Sequence, residues 1–319
     1  MNQFHLLIFP VPLFLRSFLA RACLLLVLAG CEPGVPTLYS PTFTDGTAKH
    51  IELADHEYIF GVHPLHNPER LFEVFGPLVD TLNEQIPGVT FRLEASINYA
   101  AYDEKLYHGK FDFALPNPYQ TINALNHGYR VFGKMADDHK FRGLILVRKD
   151  SGITAVDDLR GKAVSFPAPT ALAATMMPLH YLHTHGLDVM QDIDIRYVGS
   201  QESSIMNVYL GDVAAGATWP QPWHLLAAQR PELEAELRVI WQTDALVNNG
   251  LVVRDDVDPQ LVEQVAAVLF TLQDQSEGRL VLAAMNLSHF EPAVQETYAP
   301  VVEFLANYAA TVRPQEVHP

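Results

Sequence analysis

Residues 162–178 read Lys-Ala-Val-Ser-Phe-Pro-Ala-Pro-Thr-Ala-Leu-Ala-Ala-Thr-Met-Met-Pro, and this stretch decides the fold. Its first five residues have the composition of a short buried strand, and 171–185 have that of a helix closed by Gly186. Thr170, between Pro169 and the Ala/Leu run, is the expected N-cap. A strand that feeds directly into a capped helix leaves backbone N–H groups and a positive dipole end facing outward. That is a cradle for an anion. Many α/β proteins contain such a turn and bind nothing with it, so the surrounding chain must decide.

The chain alternates on both sides of this turn. Strands are expected at 58–62, 90–94, 111–115, 129–136, 143–148, 194–198, 214–218, 237–243 and 251–254. Helices are expected at 99–108, 118–127, 203–210, 259–272, 277–287 and 299–310. A further helix opens at Asn67-Pro68, a cap followed by Pro at the first position, with Leu71, Phe72, Val74, Phe75, Leu78, Val79 and Leu82 as one apolar face. The pattern predicts an α/β fold with largely parallel sheets. Polar turns at Lys149-Asp150-Ser151-Gly152 and Thr243-Asp244 are the expected seams. They give lobe I at 57–149 and 244–319 and lobe II at 150–243. One lobe inserted into another is the layout of a hinge-bending binding protein.

Residues 1–30 carry apolar runs with Arg16 and Arg21 as the only charges and end in Leu28-Ala29-Gly30-Cys31. They read as a bacterial lipoprotein export signal, with cleavage before Cys31 and a lipid on that residue. The product is then periplasmic and lipid-anchored. With Cys23 removed and Cys31 acylated, no thiol remains for a disulfide, a nucleophile or a zinc site. Residues 31–56, rich in Pro, Thr and Gly, read as a tether. Setting Arg16 and Arg21 aside, 19 Lys and Arg face 37 Asp and Glu, a formal charge of −18. Such a surface argues against nucleic acid and a broad anionic-lipid face as partners.

The chain resembles the periplasmic phosphate-, phosphite- and phosphonate-binding components of ABC importers. The resemblance is carried by Phe60-Gly61-Val62, Asn67-Pro68, Pro77-Leu78, Asn98-Tyr99, Gly109 and Asp112-Phe113-Ala114. It continues through Arg148-Lys149-Asp150-Ser151-Gly152-Ile153, Asp158-Leu159-Arg160-Gly161-Lys162, the 166–178 turn, Gly199-Ser200 and Val239-Ile240-Trp241. It implies a two-lobed type II periplasmic binding protein with the ligand cleft between lobes joined by a two-strand hinge. The implied partners are a small oxyanion and either a permease–ATPase complex or, in a sensor, a histidine kinase. No cofactor, metal or catalysis is implied.

The family holds its oxyanion with a Ser-Thr-Ser run, helix amides and two tyrosines. Carried over, one tyrosine is retained as Tyr99 and the other falls on Phe141, while Ser-Thr-Ser falls on Ala171, Leu172 and Ala173. A histidine falls on Gln201, and two carboxylates that meet an amino group fall on Gln221 and Asn249. Hydroxyls have become apolar and charges have become amides. The expected donors are therefore the 170–173 amides, the Thr170 hydroxyl, Tyr99 and side-chain amides, and a small amine-free anion is the expected ligand.

Outside the resemblance, His63 and His66 follow the first strand, where α/β sheets place ligands, and either could contact a ligand or pack the loop. His180 and His183 share a helix face without an acidic or cysteine partner, so exposure is expected rather than metal. Trp219-Pro220-Gln221-Pro222-Trp223 is expected at the cleft, either as an aromatic lid over the ligand, with Trp219 in contact with it, or as hinge packing. No G-x-S-x-G, HExxH, Walker or dinucleotide motif occurs, which leaves an enzymatic reading little support.

Overall fold

The computed structural model describes residues 57–312. The export signal, the tether and Cys31 lie outside the described residues.

Two sheets organise these residues. The first contains β1 (Glu57–Val62), β2 (Thr90–Glu94), β3 (Phe113–Leu115), β4 (Tyr129–Met135), β10 (Gly250–Arg254) and β11 (Phe290–Glu291), in the order β11-β4-β10-β3-β1-β2. The second contains β5 (Leu144–Arg148), β6 (Ala163–Phe166), β7 (Asp194–Tyr197), β8 (Ala215–Thr218) and β9 (Leu237–Gln242), in the order β7-β6-β8-β5-β9. The helices are α1 (Pro68–Gln85), α2 (Tyr99–Tyr107), α3 (Pro118–Ala124), α4 (Met177–Thr184), α5 (Gln201–Leu210), α6 (Pro220–Gln229), α7 (Pro231–Glu236), α8 (Pro259–Leu269), α9 (Ser276–Ala284) and α10 (Ala299–Thr311). Helices α6 and α7 and strand β11 had no counterpart in the sequence reading.

The expectation of largely parallel sheets needs correction. β1 is parallel to β2 and β3, and β6 to β7 and β8, but β10 is antiparallel to β3 and β4, and β5 to β8 and β9. β5 and β10 are the strands that begin just after the chain passes from one sheet to the other. Entering from outside the sheet without a crossover helix, each runs against its neighbours.

The first passage lies between Met135 and Leu144, ahead of the expected seam at Lys149, so β5 joins the second sheet. The return passage lies between Gln242 and Gly250 and includes Thr243-Asp244. The two passages are hydrogen-bonded to each other. The Gly143 amide donates to Thr243 Oγ1 at 2.9 Å and the Thr243 amide to the Gly143 carbonyl at 3.0 Å. Leu246 N–H reaches the Phe141 carbonyl, and the Asn248 side chain donates to the Ala136 carbonyl at 2.7 Å.

Local signals place most helices. Asn67, Asn98, Asn117 and Asp258 each cap a helix by accepting a backbone N–H of its first turn. In α1 the residues Leu71, Val74, Phe75, Leu78, Val79 and Leu82 are buried, whereas Phe72, expected on that face, is 49% exposed. One residue from Leu71, it sits about 100° around the helix from it.

The segment that opened the reading differs from expectation at its start. Ala171, not Thr170, occupies the cap position and makes no side-chain cap bond, and Leu172–Met176 is a π-turn that runs into α4. Pro178 accounts for the wide turn. Its ring would strike the Ala174 carbonyl of a regular α-helix and offers it no N–H.

Gly143 fixes where this helix can lie. A Cβ there would fall 2.7 Å from the Ala173 carbonyl oxygen and 2.8 Å from Pro178 Cδ. We expect Gly143→Ala to displace the helix start and destabilise the chain by about 1–3 kcal/mol. Chemical denaturation checks this, and an unchanged midpoint would show that the helix yields freely.

Candidate functional site

Strands β1, β3, β6 and β8 end at Val62, Leu115, Phe166 and Thr218, and residues that follow those ends line a small cavity. It is lined by His63, Tyr99, Asn117, Phe141, the four residues from Ala171 to Ala174, Gln201 and Trp219. Eight of the eleven ligand-binding residues expected from sequence meet here. Asn117 and Ala174 were missed, although Asn117-Pro118 repeats the Asn-Pro cap of Asn67-Pro68 directly after a strand. The cavity measures about 10 Å³, room for one water at most.

Its donors come from two sources. A helix start leaves the first-turn amides without acceptors in their own helix. The Ala171 amide is taken by the Ala168 carbonyl at 3.2 Å, and the Thr175 and Met176 amides both point back to the Ala171 carbonyl. The amides left over at this helix start are those of Leu172, Ala173 and Ala174, shifted from the expected 170–173.

The second source is a relay. Thr218 Oγ1 donates to Gln201 Oε1 at 3.0 Å, and Gln201 Nε2 donates to the Tyr99 hydroxyl oxygen at 3.2 Å. Because that oxygen accepts from Gln201, its own proton is left to donate elsewhere. Burial pushes the Tyr99 phenol well up, so it stays protonated.

His63 adds no charge. Its Nδ1 lies 2.9 Å from the Leu115 carbonyl, which can only accept, so Nδ1 carries the proton and Nε2 is an acceptor. Burial lowers its pKa to about 4, against a weaker raising effect of that hydrogen bond. The lining therefore holds no charged side chain, and an anion here would be held by dipoles alone. His66, one turn on, is buried with Nε2 unpartnered and packs the loop.

Three expected residues lie elsewhere. Thr170 Oγ1 donates to Asp103 at 3.0 Å and the Thr170 carbonyl accepts from Asn117 Nδ2 at 2.9 Å. Thr170 is thus a fastening between the two halves and not a free donor. Gln221, on α6, donates through Nε2 to the Met285 carbonyl, and Asn249 places Nδ2 3.4 Å from the Met135 sulfur. Trp219 caps α6 and packs on Phe141 with ring centres 5.5 Å apart, while Trp223 belongs to the core under the second sheet. His180 meets Phe304 edge-on and His185 stacks on Tyr181. Among the described residues no group of three or more His, Cys, Asp or Glu could hold a metal. A groove of about 640 Å³ opens beside the cavity between α2 and the Pro167–Thr170 loop, with Tyr99 as the common wall.

The family model for the periplasmic phosphonate-binding proteins of ABC transporters matches residues 60–298, spanning both sheets and the cavity. The chain belongs to this family. The fold of the phosphonate-binding protein family is borne out by two solved structures. PhnD1 of Prochlorococcus marinus, in complex with methylphosphonate, superposes with a TM-score of 0.72 at 19% identity, covering 79% of this chain and 97% of that one. A binding-protein component of an ABC phosphonate transporter from Pseudomonas aeruginosa gives 0.74 at 18% identity, covering 80% and 87%. Both have the expected type II, two-lobed architecture. A curated relative, the tetrathionate sensor histidine kinase TtrS of Salmonella typhimurium, is 29% identical over 131 residues. That match is 39% of this chain, and the chain spans about a fifth (22%) of that relative's length. Among the described residues no helix is long and apolar enough to cross a membrane.

Proposed function

We propose that this protein is a periplasmic solute-binding component that captures a small oxyanion of the phosphate, phosphite or phosphonate class for ABC import, without catalysis. The observation that carries the reading is the meeting of the Leu172–Ala174 amides with a Tyr99 hydroxyl whose proton the Gln201 relay leaves free. A tetrahedral anionic head needs several donors and no fixed counter-charge, and this set offers both. Residues 57–140 with 244–312 and residues 144–243 would be the two lobes. They part for ligand entry at the Asp103–Thr170, Asn117–Thr170, Tyr99–Gln201 and Asn67–Glu202 hydrogen bonds. A lipid on Cys31 would tether the protein, and loss of palmitate labelling in Cys31→Ser would support that anchor.

Calorimetry with methylphosphonate, phosphite, phosphate and 2-aminoethylphosphonate tests the reading. The amine-free anions should bind more tightly than 2-aminoethylphosphonate. Tyr99→Phe should weaken methylphosphonate about tenfold, the value of one hydrogen bond to a charged group. Undiminished affinity in that variant would mean that the head sits elsewhere.

A second reading is favoured by the kinase relative and by the apolar lining at Phe141, Ala171, Leu172 and Ala173. In it, the protein is the ligand-binding subunit of a two-component sensor, and its anion is a less strongly hydrated one such as a sulfur oxyanion. Binding of tetrathionate in preference to every phosphorus anion would favour it, as would a kinase gene beside this one in place of a permease and ATPase.

A further inference from the structure

The groove of about 640 Å³ beside the oxyanion cavity has the size of a small-molecule site, and the function proposed above does not use it. One wall is a single face of α2. Tyr99, Asp103 and Tyr107 follow one another a turn apart, and Ala100, Glu104 and His108 form the row beside them. The two carboxylates therefore stand at one level of the helix, with rings one turn before and one turn after. Tyr107 is backed by His127, stacked on it with ring centres 4.5 Å apart. The side built on the second sheet supplies the Pro167-Ala168-Pro169 loop and Tyr197, which is 40% exposed.

The chemistry of this lining is the reverse of the cavity's. Among the described residues that line the groove there is no Lys or Arg. His108 Nδ1 lies 2.7 Å from the Glu104 carbonyl and His127 Nδ1 2.8 Å from the Asn123 carbonyl, so each neutral ring keeps Nε2 as an acceptor. Pro167 and Pro169 have carbonyls but no N–H. The start of α2 also borders the groove, but Asn98 caps it by accepting the Ala101 amide. Asp103 accepts from Gln120 and Thr170, whereas Glu104 is exposed and makes no ion pair among the described residues. An anion here meets two carboxylates and few donors. A cation meets carboxylates, imidazole acceptors and aromatic rings, on a chain whose net charge is strongly negative.

We propose that this groove is a second binding site, separate from the oxyanion cavity, for an organic ammonium ion that carries an aromatic arm. The ammonium donates to Glu104, and the arm lies among Tyr107, Tyr197 and the prolines. An amine without an arm leaves the ring and proline surface unused, and an arm without the amine leaves the carboxylates unused. A ligand that touches α2 and Tyr197 together bridges the parts built on the two sheets, beside the Asp103–Thr170 hydrogen bond that already joins them.

The test is calorimetry of the full chain at about 0.15 M salt, which screens attraction to the acidic surface at large. The probes are 2-phenylethylamine, 2-phenylethanol, ethylamine and phenylacetate. The first should bind about tenfold more tightly than any of the others. Glu104→Gln, a change at an exposed position, should weaken the amine about tenfold and leave the alcohol unchanged. Tyr197→Ala, on the other side of the groove, should weaken amine and alcohol alike. Equal affinity for amine and alcohol, or undiminished amine binding in Glu104→Gln, overturns the proposal. An effect of Glu104→Gln without one of Tyr197→Ala overturns the bridging role. Methylphosphonate titrated in parallel keeps the two sites apart. If it binds and the amine does not, the groove alone is overturned; if the amine binds as expected and no phosphorus anion does, the groove stands and the oxyanion reading falls.

Discussion

A chain carrying Ala171→Ser, Leu172→Thr and Ala173→Ser together should bind methylphosphonate roughly 100-fold more tightly than the natural sequence. The amides of Leu172, Ala173 and Ala174 belong to the backbone and survive the change. The three substitutions add hydroxyls beside them and remove the Leu172 isobutyl group that lines the cavity. A hydrogen bond to a charged group contributes about 1.5–3 kcal/mol, and two of three hydroxyls reaching the head account for about two orders of magnitude after desolvation. Without ligand the same hydroxyls are buried and under-satisfied, so the apo variant should melt earlier and recover on ligand addition. Titration calorimetry checks the affinity and a thermal shift checks the compensation. Equal affinity in variant and natural protein would move the oxyanion away from this helix.

The second large effect is on stability below neutral pH. His63 and His66 are buried, and burial lowers their pKa values to about 4 and about 3; for His66 the charges of Arg70 and His63 lower it further. In the unfolded chain both titrate near 6.5. Above that value each is neutral whether folded or not, and stability is fully present. As pH falls through 6.5 the unfolded chain takes up two protons that the folded chain refuses, so stability drops. The drop continues until the pH reaches about 4 for His63 and about 3 for His66. Each group contributes up to about 1.4 kcal/mol per pH unit, or about 4–5 kcal/mol for the pair between pH 6.5 and 4.5, a large share of a typical domain's stability. Denaturation midpoints at pH 7.5 and 4.5 measure this, and a His66→Leu variant should show about half the slope. The carboxylates of Asp137 and Glu94, held low by Lys140 and Lys105 against their own desolvation, add a further loss only at more acid pH. A flat profile from pH 7.5 to 4.5 would mean that water reaches both imidazoles.

The local physics of this chain is written in its residues. An Asn before Pro makes a helix start because the side chain caps the amides that Pro does not need, and Asn67 and Asn117 each do so. The apolar spacing of α1 gave its buried face within one residue, and the order of strands and helices gave the fold class. The position of Tyr99, at the start of a capped helix after a strand, was likewise readable. The fate of Thr170 was not. Locally it is a good cap, but Asp103, 67 residues away, takes its hydroxyl. Gln201 becomes part of a donor relay only because Tyr99 lies across the cleft, 102 residues distant. The passage between sheets came ahead of the expected seam because strand pairing, not turn polarity, decides which sheet β5 joins. Gly143 and Trp219 matter for what approaches them, a carbonyl in one case and two cavities in the other. Caps and periodicity act within one or two turns and leave a pattern in sequence. Contacts that join segments a hundred residues apart leave none, and only the folded chain decides them.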